Sequence, residues 1–152
     1  MTTIAYRNGV LAADTAMCRG DAKYADAIVK IAKLPDGRLA AAVGSAGYCG
    51  EWLRWCQDGG EEAKRPTPKE GEGFFDTGLI VELSGELLIF EPTGWFRCHP
   101  EYYALGSGRE FAIGAMAAGA GPEAAVRVAV KHDQGSGGSV MAFALNQPEP
   151  VA

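Results

Sequence analysis

Threonine is the second residue of the chain. Methionine before a small residue is normally trimmed in the cytoplasm, and trimming here would leave Thr2 with a free α-amine. An α-amine has a pKa near ~7.7–8.0, against ~10.4 for lysine. It can therefore take the proton of its own residue's hydroxyl and make that oxygen a nucleophile. A Met-Thr start is also an ordinary one, so Thr2 means little without partners. Lys30, inside the apolar run AIVKIAKL at 27–34, is one candidate. A partly desolvated ammonium beside a hydroxyl lowers the cost of forming an alkoxide. Plainer readings of Lys30 are an edge-strand charge that discourages aggregation, or a side chain that snorkels to water. A buried ammonium needs a counter-ion. Asp14 is the candidate, its plainer reading being a strand-end turn residue. Gly44-Ser45-Ala46-Gly47 stands between a strand and a helix start. Free N–H groups and the positive end of a helix dipole there suit an oxyanion, although the segment also reads as a common strand–helix turn. Ser107 lies in Gly106-Ser107-Gly108 and Ser136 in DQGSGG at 133–138. Both hydroxyls are of the type that orients an amine, and both loops also read as turns.

These residues need elements to bring them together. TTIAY at 2–6, Asn8-Gly9 and VLAA at 10–13 read as a tight hairpin that returns Asp14 to the neighbourhood of Thr2. Residues 18–26 are polar and predict a loop. Residues 27–34 predict a third strand, with Ile28, Lys30 and Ala32 on one face. Residues 38–43 predict a fourth. A helix follows with Tyr48, Trp52, Leu53, Trp55 and Cys56 on its apolar face, ended by Gly59-Gly60. The charged, Pro/Gly-rich stretch 59–73 predicts a loop. Strands are expected at 77–83, 86–91, 94–98, 102–105 and 140–145. Helices are expected at 109–119 and from Pro122 to about His132. The tail 146–152 reads as frayed. Strands and helices come in blocks, which predicts an α+β fold of antiparallel sheets in a single domain over 1–152.

Composition narrows the function classes. The net charge is -5 with no Lys/Arg footprint, which argues against nucleic acid as a partner. Cys18, Cys49, Cys56 and Cys98 form no zinc-like spacing, so free thiols in a reducing compartment and no metal site are expected. His99 and His132 stand in no metal or triad pattern, and the Gly106 loop lacks the arrangement of a phosphate loop. With no leader before the first strand and no run of membrane-spanning length, the expectation is a cytoplasmic protein without membrane association.

Taken in order, TTIAY at 2–6, GVLAAD at 9–14, VKIAKL at 29–34, VGSAGY at 43–48, LGSG at 105–108 and HDQGSGG at 132–138 resemble the catalytic β subunits of proteasomes and the bacterial HslV-type peptidases. The resemblance covers most of the chain; residues 59–100 match only in strand pattern. It implies the four-layer αββα sandwich of two antiparallel sheets found in N-terminal-nucleophile hydrolases. It implies peptide-bond hydrolysis with no cofactor, through an acyl-enzyme on Thr2. In that reading Lys30 is the electrostatic partner of the hydroxyl and Asp14 pairs with Lys30. Ser107, Asp133 and Ser136 organise the amine and the proton path, and the Gly44 N–H holds the oxyanion. Met17, Ile28, Ala42, Ala46 and Gly50 map to the primary specificity pocket, whose apolar or small character implies cleavage after apolar side chains. Family members form stacked rings, so hexameric or heptameric rings of this chain, unfolded polypeptide substrates and an ATP-driven unfoldase are the implied partners. Two other readings remain at this stage. One is a silent ring or scaffold protein that keeps the fold; the other is an amidase of the same class acting on a small amide.

Overall fold

The computed structural model describes residues 2–19, 22–25 and 28–145, without the side chains of 18, 19 and 23–25. Met1, Ala27 and the tail 146–152, each part of an expectation above, lie outside the described residues. The chain begins with β1 (Thr3–Arg7) and β2 (Val10–Asp14). Asn8 and Gly9 between them both have positive φ, 50° and 78°, the conformation a two-residue hairpin turn of this hand requires. Their register runs from Arg7 opposite Val10 to Ile4 opposite Ala13, so one further step sets Thr3 against Asp14.

The next segment departs from expectation. The supposed loop at 18–26 contains β3 (Met17–Arg19) and β4 (Ala22–Ala25), which pair as a small ribbon. The strand expected at 27–34 shrinks to β5 (Ile31–Lys33). Among the described residues β5 pairs only with β6 (Leu39–Val43), at the edge of its sheet. Just before it the chain is drawn aside, with the Ile28 N–H donating to the Thr15 carbonyl at 2.8 Å. The apolar run at 27–34 therefore did not mark one continuous ladder.

Helix α1 (Ala46–Gln57) follows, then a short 3-10 turn at Glu62–Lys64. Within the stretch expected to be loop, β7 (Glu70–Gly71) and β8 (Phe74–Phe75) form a tiny hairpin. The chain continues through β9 (Thr77–Val81), β10 (Leu87–Glu91), β11 (Gly94–Cys98) and β12 (Tyr102–Gly106). It ends with α2 (Arg109–Ala117), α3 (Pro122–His132) and β13 (Val140–Ala144). Pro122 opens α3, where its missing N–H is no loss.

Two antiparallel sheets result, ordered β12-β1-β2-β13 and β11-β10-β9-β6-β5. Strand alternation divides their side chains among three buried clusters. Ile4, Leu11 and Ala13 of the first sheet meet Ile31, Leu39, Leu79 and Ile89 of the second. Ala40, Ala42, Ile80 and Phe90 on the far side of the second sheet take Tyr48, Trp52, Leu53 and Cys56 of α1. Ala5, Ala12 and Ala104 on the far side of the first take Ala112, Met116, Ala125 and Val126 of α2 and α3. Each large apolar side chain so buried contributes about 1.5–3 kcal/mol relative to exposure. The α+β expectation and the two antiparallel sheets hold. Among the described residues no helix is long and apolar enough to cross a membrane.

Candidate active site

Antiparallel pairing delivers four chain segments to one end of the first sheet. Thr3 stands opposite Gly106, so β12 hands over directly to Ser107. Val140 stands opposite Asp14, which places the 133–139 loop at the same end. Asp14 is at the centre and fully buried. Its Oδ1 accepts from Lys30 Nζ at 2.8 Å and from the Thr3 N–H at 3.0 Å. Its Oδ2 accepts from the Gly137 N–H at 2.9 Å. Lys30 is itself only 6% exposed. A buried ion pair is tolerated when further hydrogen bonds serve its remaining lone pairs, and here two backbone donors do so. The salt bridge foreseen between Asp14 and Lys30 is therefore present, tied to the backbone one residue after Thr2.

A second cluster adjoins it. Ser107 Oγ donates to Asp133 Oδ2 at 2.7 Å, and Ser136 Oγ donates to the same oxygen at 2.6 Å. Thr3, fully buried, has its Oγ1 2.6 Å from Ser136 Oγ. A serine hydroxyl has one proton. Since that of Ser136 goes to the carboxylate, Thr3 must be the donor in its contact with Ser136. The proton of Ser107 likewise belongs to Asp133 rather than to the more distant Thr2 carbonyl at 3.4 Å. The Ser107 and Ser136 protons thus go to Asp133 and the Thr3 proton goes to Ser136, so both serine oxygens keep lone-pair capacity for another donor. Asp133 caps the C-terminus of α3, the end of a helix that disfavours an anion. The two hydroxyl donors offset that placement. Gly108 closes the cluster, its N–H donating to the Thr2 carbonyl at 3.3 Å. A Cβ there would collide with Thr3 Oγ1 and sit 3.2 Å from Asp133 Oδ2.

The Gly44 turn is on the surface, with residues 44–47 all exposed. Ser45 caps α1, its side chain accepting from the Tyr48 N–H at 3.3 Å. The residues expected to line a specificity pocket are differently placed. Met17, Ile28 and Gly50 are half-buried and Ala46 is exposed. Ala42 is 1% exposed and packed into the α1 cluster, not at an open surface. An open depression of about 680 Å³ is at the opposite end of the sheets, around Tyr6, Gly9, Ser84, Gly85 and His99.

Other groups are excluded from the chemistry on physical grounds. Burial, then the Asp76 carboxylate, push the Cys49 thiol up to about 12, against a smaller pull from Lys30. Burial likewise pushes Cys56 up to about 12. Neither is a thiolate near neutral pH, and a thiol is a poor nucleophile. The Cys18 side chain is outside the described set. His132 stacks on Phe111, with ring centroids 5.9 Å apart. Among the described residues no group of three His, Cys, Asp or Glu could hold a metal.

Two residues of the site were not anticipated. Thr3 was passed over for its neighbour, although a threonine on the helix-facing side of an otherwise apolar strand is a readable signal. Asp76 had no signal at all, because its partners are 7 and 31 positions away.

No family model matches the chain, and no curated protein matches it. Among solved structures it resembles Thiobacillus denitrificans BPH in complex with epoxomicin, with a TM-score of 0.66 at 20% identity, covering 96% of this chain and 99% of that one. A second structure of Thiobacillus denitrificans BPH gives a TM-score of 0.66 at 20% identity, over 97% and 99% of the two chains. At that identity the likeness shows a shared fold.

Proposed function

We propose that this chain is a threonine peptidase of the proteasome β-subunit and HslV type, with the four-layer αββα fold of N-terminal-nucleophile hydrolases. The observation that carries the reading is the fully buried Asp14, bonded at once to Lys30 and to the Thr3 N–H, beside the Ser107 and Ser136 hydroxyls that both donate to Asp133. The complex of Thiobacillus denitrificans BPH with epoxomicin, a proteasome inhibitor, adds support from a protein of the same fold.

Once Met1 is removed, the α-amine belongs to Thr2. Ser107 and Ser136 offer that amine only lone pairs, so they hold it as a donor and leave its own lone pair for the Thr2 hydroxyl. The amine takes the hydroxyl proton as Oγ1 attacks the scissile carbonyl carbon. Lys30 stabilises the forming alkoxide, and Asp14 holds Lys30 in place. The Gly44 N–H receives the tetrahedral oxyanion, a contribution worth about 10²–10³ in turnover where single donors have been removed. Collapse breaks the C–N bond, the ammonium returns its proton to the leaving amine, and an ester on Thr2 remains for water to cleave. Assembly into stacked six- or seven-membered rings, feeding by an unfoldase and a cytoplasmic setting belong to the same reading.

Hydrolysis of fluorogenic peptides by wild type and by Thr2→Ala tests it, with intact mass establishing the loss of Met1. The expected outcome is turnover and epoxyketone labelling only in chains that begin at Thr2. Equal hydrolysis by Thr2→Ala would sink the mechanism. Peptides ending in Leu or Tyr should be cleaved ahead of those ending in Arg or Glu, given the apolar Met17 and Ile28.

A further inference from the structure

We infer that Asp76 is a positioning residue for the Gly44 N–H, setting the oxyanion donor through the turn it grips; this rests on the peptidase reading above. Asp76 lies between β8 and β9 and is 4% exposed. Its Oδ1 accepts from the Ser45 N–H at 2.8 Å and from Ser45 Oγ at 3.1 Å. Its Oδ2 accepts from the Lys69 N–H at 3.0 Å, and its own N–H donates to the Lys69 carbonyl at 2.9 Å. Among the described residues no Lys or Arg forms a salt bridge with it, so its charge is met by backbone donors, a hydroxyl and the positive end of α1.

The grip is on the turn itself. Gly44 has φ of +117°, a conformation that excludes ordinary side chains. A Cβ there would collide with the Asp76 carboxylate and lie 2.7 Å from the Asp76 Cα. The turn is therefore pressed directly onto Asp76. On the preceding side, Val43 is held opposite Thr77, the residue after Asp76. Gly44 is thus held by two adjacent residues, Asp76 and Thr77. Fixing the Ser45 N–H inward has a second effect: that donor is removed from the site face. The Gly44 N–H, next to it in the turn so held, is the donor that the peptidase reading assigns to the oxyanion. A preorganised donor needs no reorganisation as charge develops, which is where its catalytic value lies.

The test compares wild type, Asp76→Ala and Asp76→Asn as Met1-free full-length protein, using a fluorogenic peptide and a peptide aldehyde. The aldehyde forms a hemiacetal with the nucleophile and so samples the oxyanion site. With Asp76→Ala, kcat should fall by roughly tenfold to hundredfold, KM should change little, and the aldehyde should weaken by the same factor as kcat, since only transition-state contacts are lost. Asp76→Asn keeps an acceptor for Ser45 and should restore most of both. Asp76→Ser, with one remaining oxygen, substitutes for Asp76→Ala if that variant does not fold. Unchanged kcat, or a loss carried by KM with aldehyde affinity intact, would overturn the inference while leaving the peptidase reading standing. Wild type that neither cleaves peptide nor takes an epoxyketone on Thr2 overturns both.

Discussion

The two ends of the β1–β2 hairpin handle polar groups in opposite ways. At the Asn8-Gly9 end they border the wide depression, with Asn8 exposed and Tyr6 buried beneath it at 4%. Tyr6 Oη donates to the Gly85 carbonyl at 3.3 Å, and Arg7 pairs with a Glu101 that is 74% exposed. At the Thr3–Asp14 end Thr3, Asp14, Lys30 and Ser136 are each at most 6% exposed. Each of these four has a short hydrogen-bond partner. Charges in water interact weakly, whereas the same charges away from it interact several-fold more strongly. The two ends thus differ in how far their polar groups are withdrawn from water, and the second gathers a buried ion pair and two hydroxyls bonded to one carboxylate.

The sharpest way to break this contrast is Lys30→Ala. It leaves the buried Asp14 with two backbone donors and no cation, and removal of one partner from a buried pair costs about 3–5 kcal/mol. Urea denaturation should show a loss of that order, with peptide hydrolysis abolished. A wild-type midpoint would mean that the pair is solvated after all. Ser136→Ala should come next. It strands the Thr3 hydroxyl proton and takes one donor from Asp133, a loss of about 1–3 kcal/mol, with turnover reduced at unchanged KM. Tyr6→Phe, at the other end, removes bonds to the Gly85 carbonyl and the Gly9 N–H. The melt should register about 1 kcal/mol while kcat stays at the wild-type value; altered kcat would show that the two ends are coupled. Glu101→Ala is the smallest, within about 0.5 kcal/mol as for most exposed pairs, and a larger shift would contradict the view of that end as solvated surface.

Some of this was legible from residue order alone, for local reasons. Asn8-Gly9 dictates a two-residue turn, and a two-residue turn with five-residue strands returns Asp14 to Thr3 whatever surrounds them. Pro122 and Gly59-Gly60 mark helix limits because their backbone preferences act within one turn. The aromatic face of α1 was readable, but not its use. Trp52 is fully buried against the second sheet, so it supports the core.

The order of the chain determined the candidates: a threonine at position 2, a lysine in an apolar run, an aspartate after a hairpin, and glycine loops bearing Ser107 and Ser136. Only the tertiary structure decided how they act. It cut the expected strand back to Ile31–Lys33, with Ile28 hydrogen-bonded to the distant Thr15 carbonyl. It recruited Thr3, whose hydroxyl meets Ser136 across 133 positions of sequence, and Asp76, whose carboxylate meets Ser45 across 31. It also set the direction of each hydroxyl proton, which depends on where Asp133 sits and not on which serines are present. Local backbone preference reaches a few residues along the chain. The balance between desolvating a charge and giving it partners is settled only when distant segments meet.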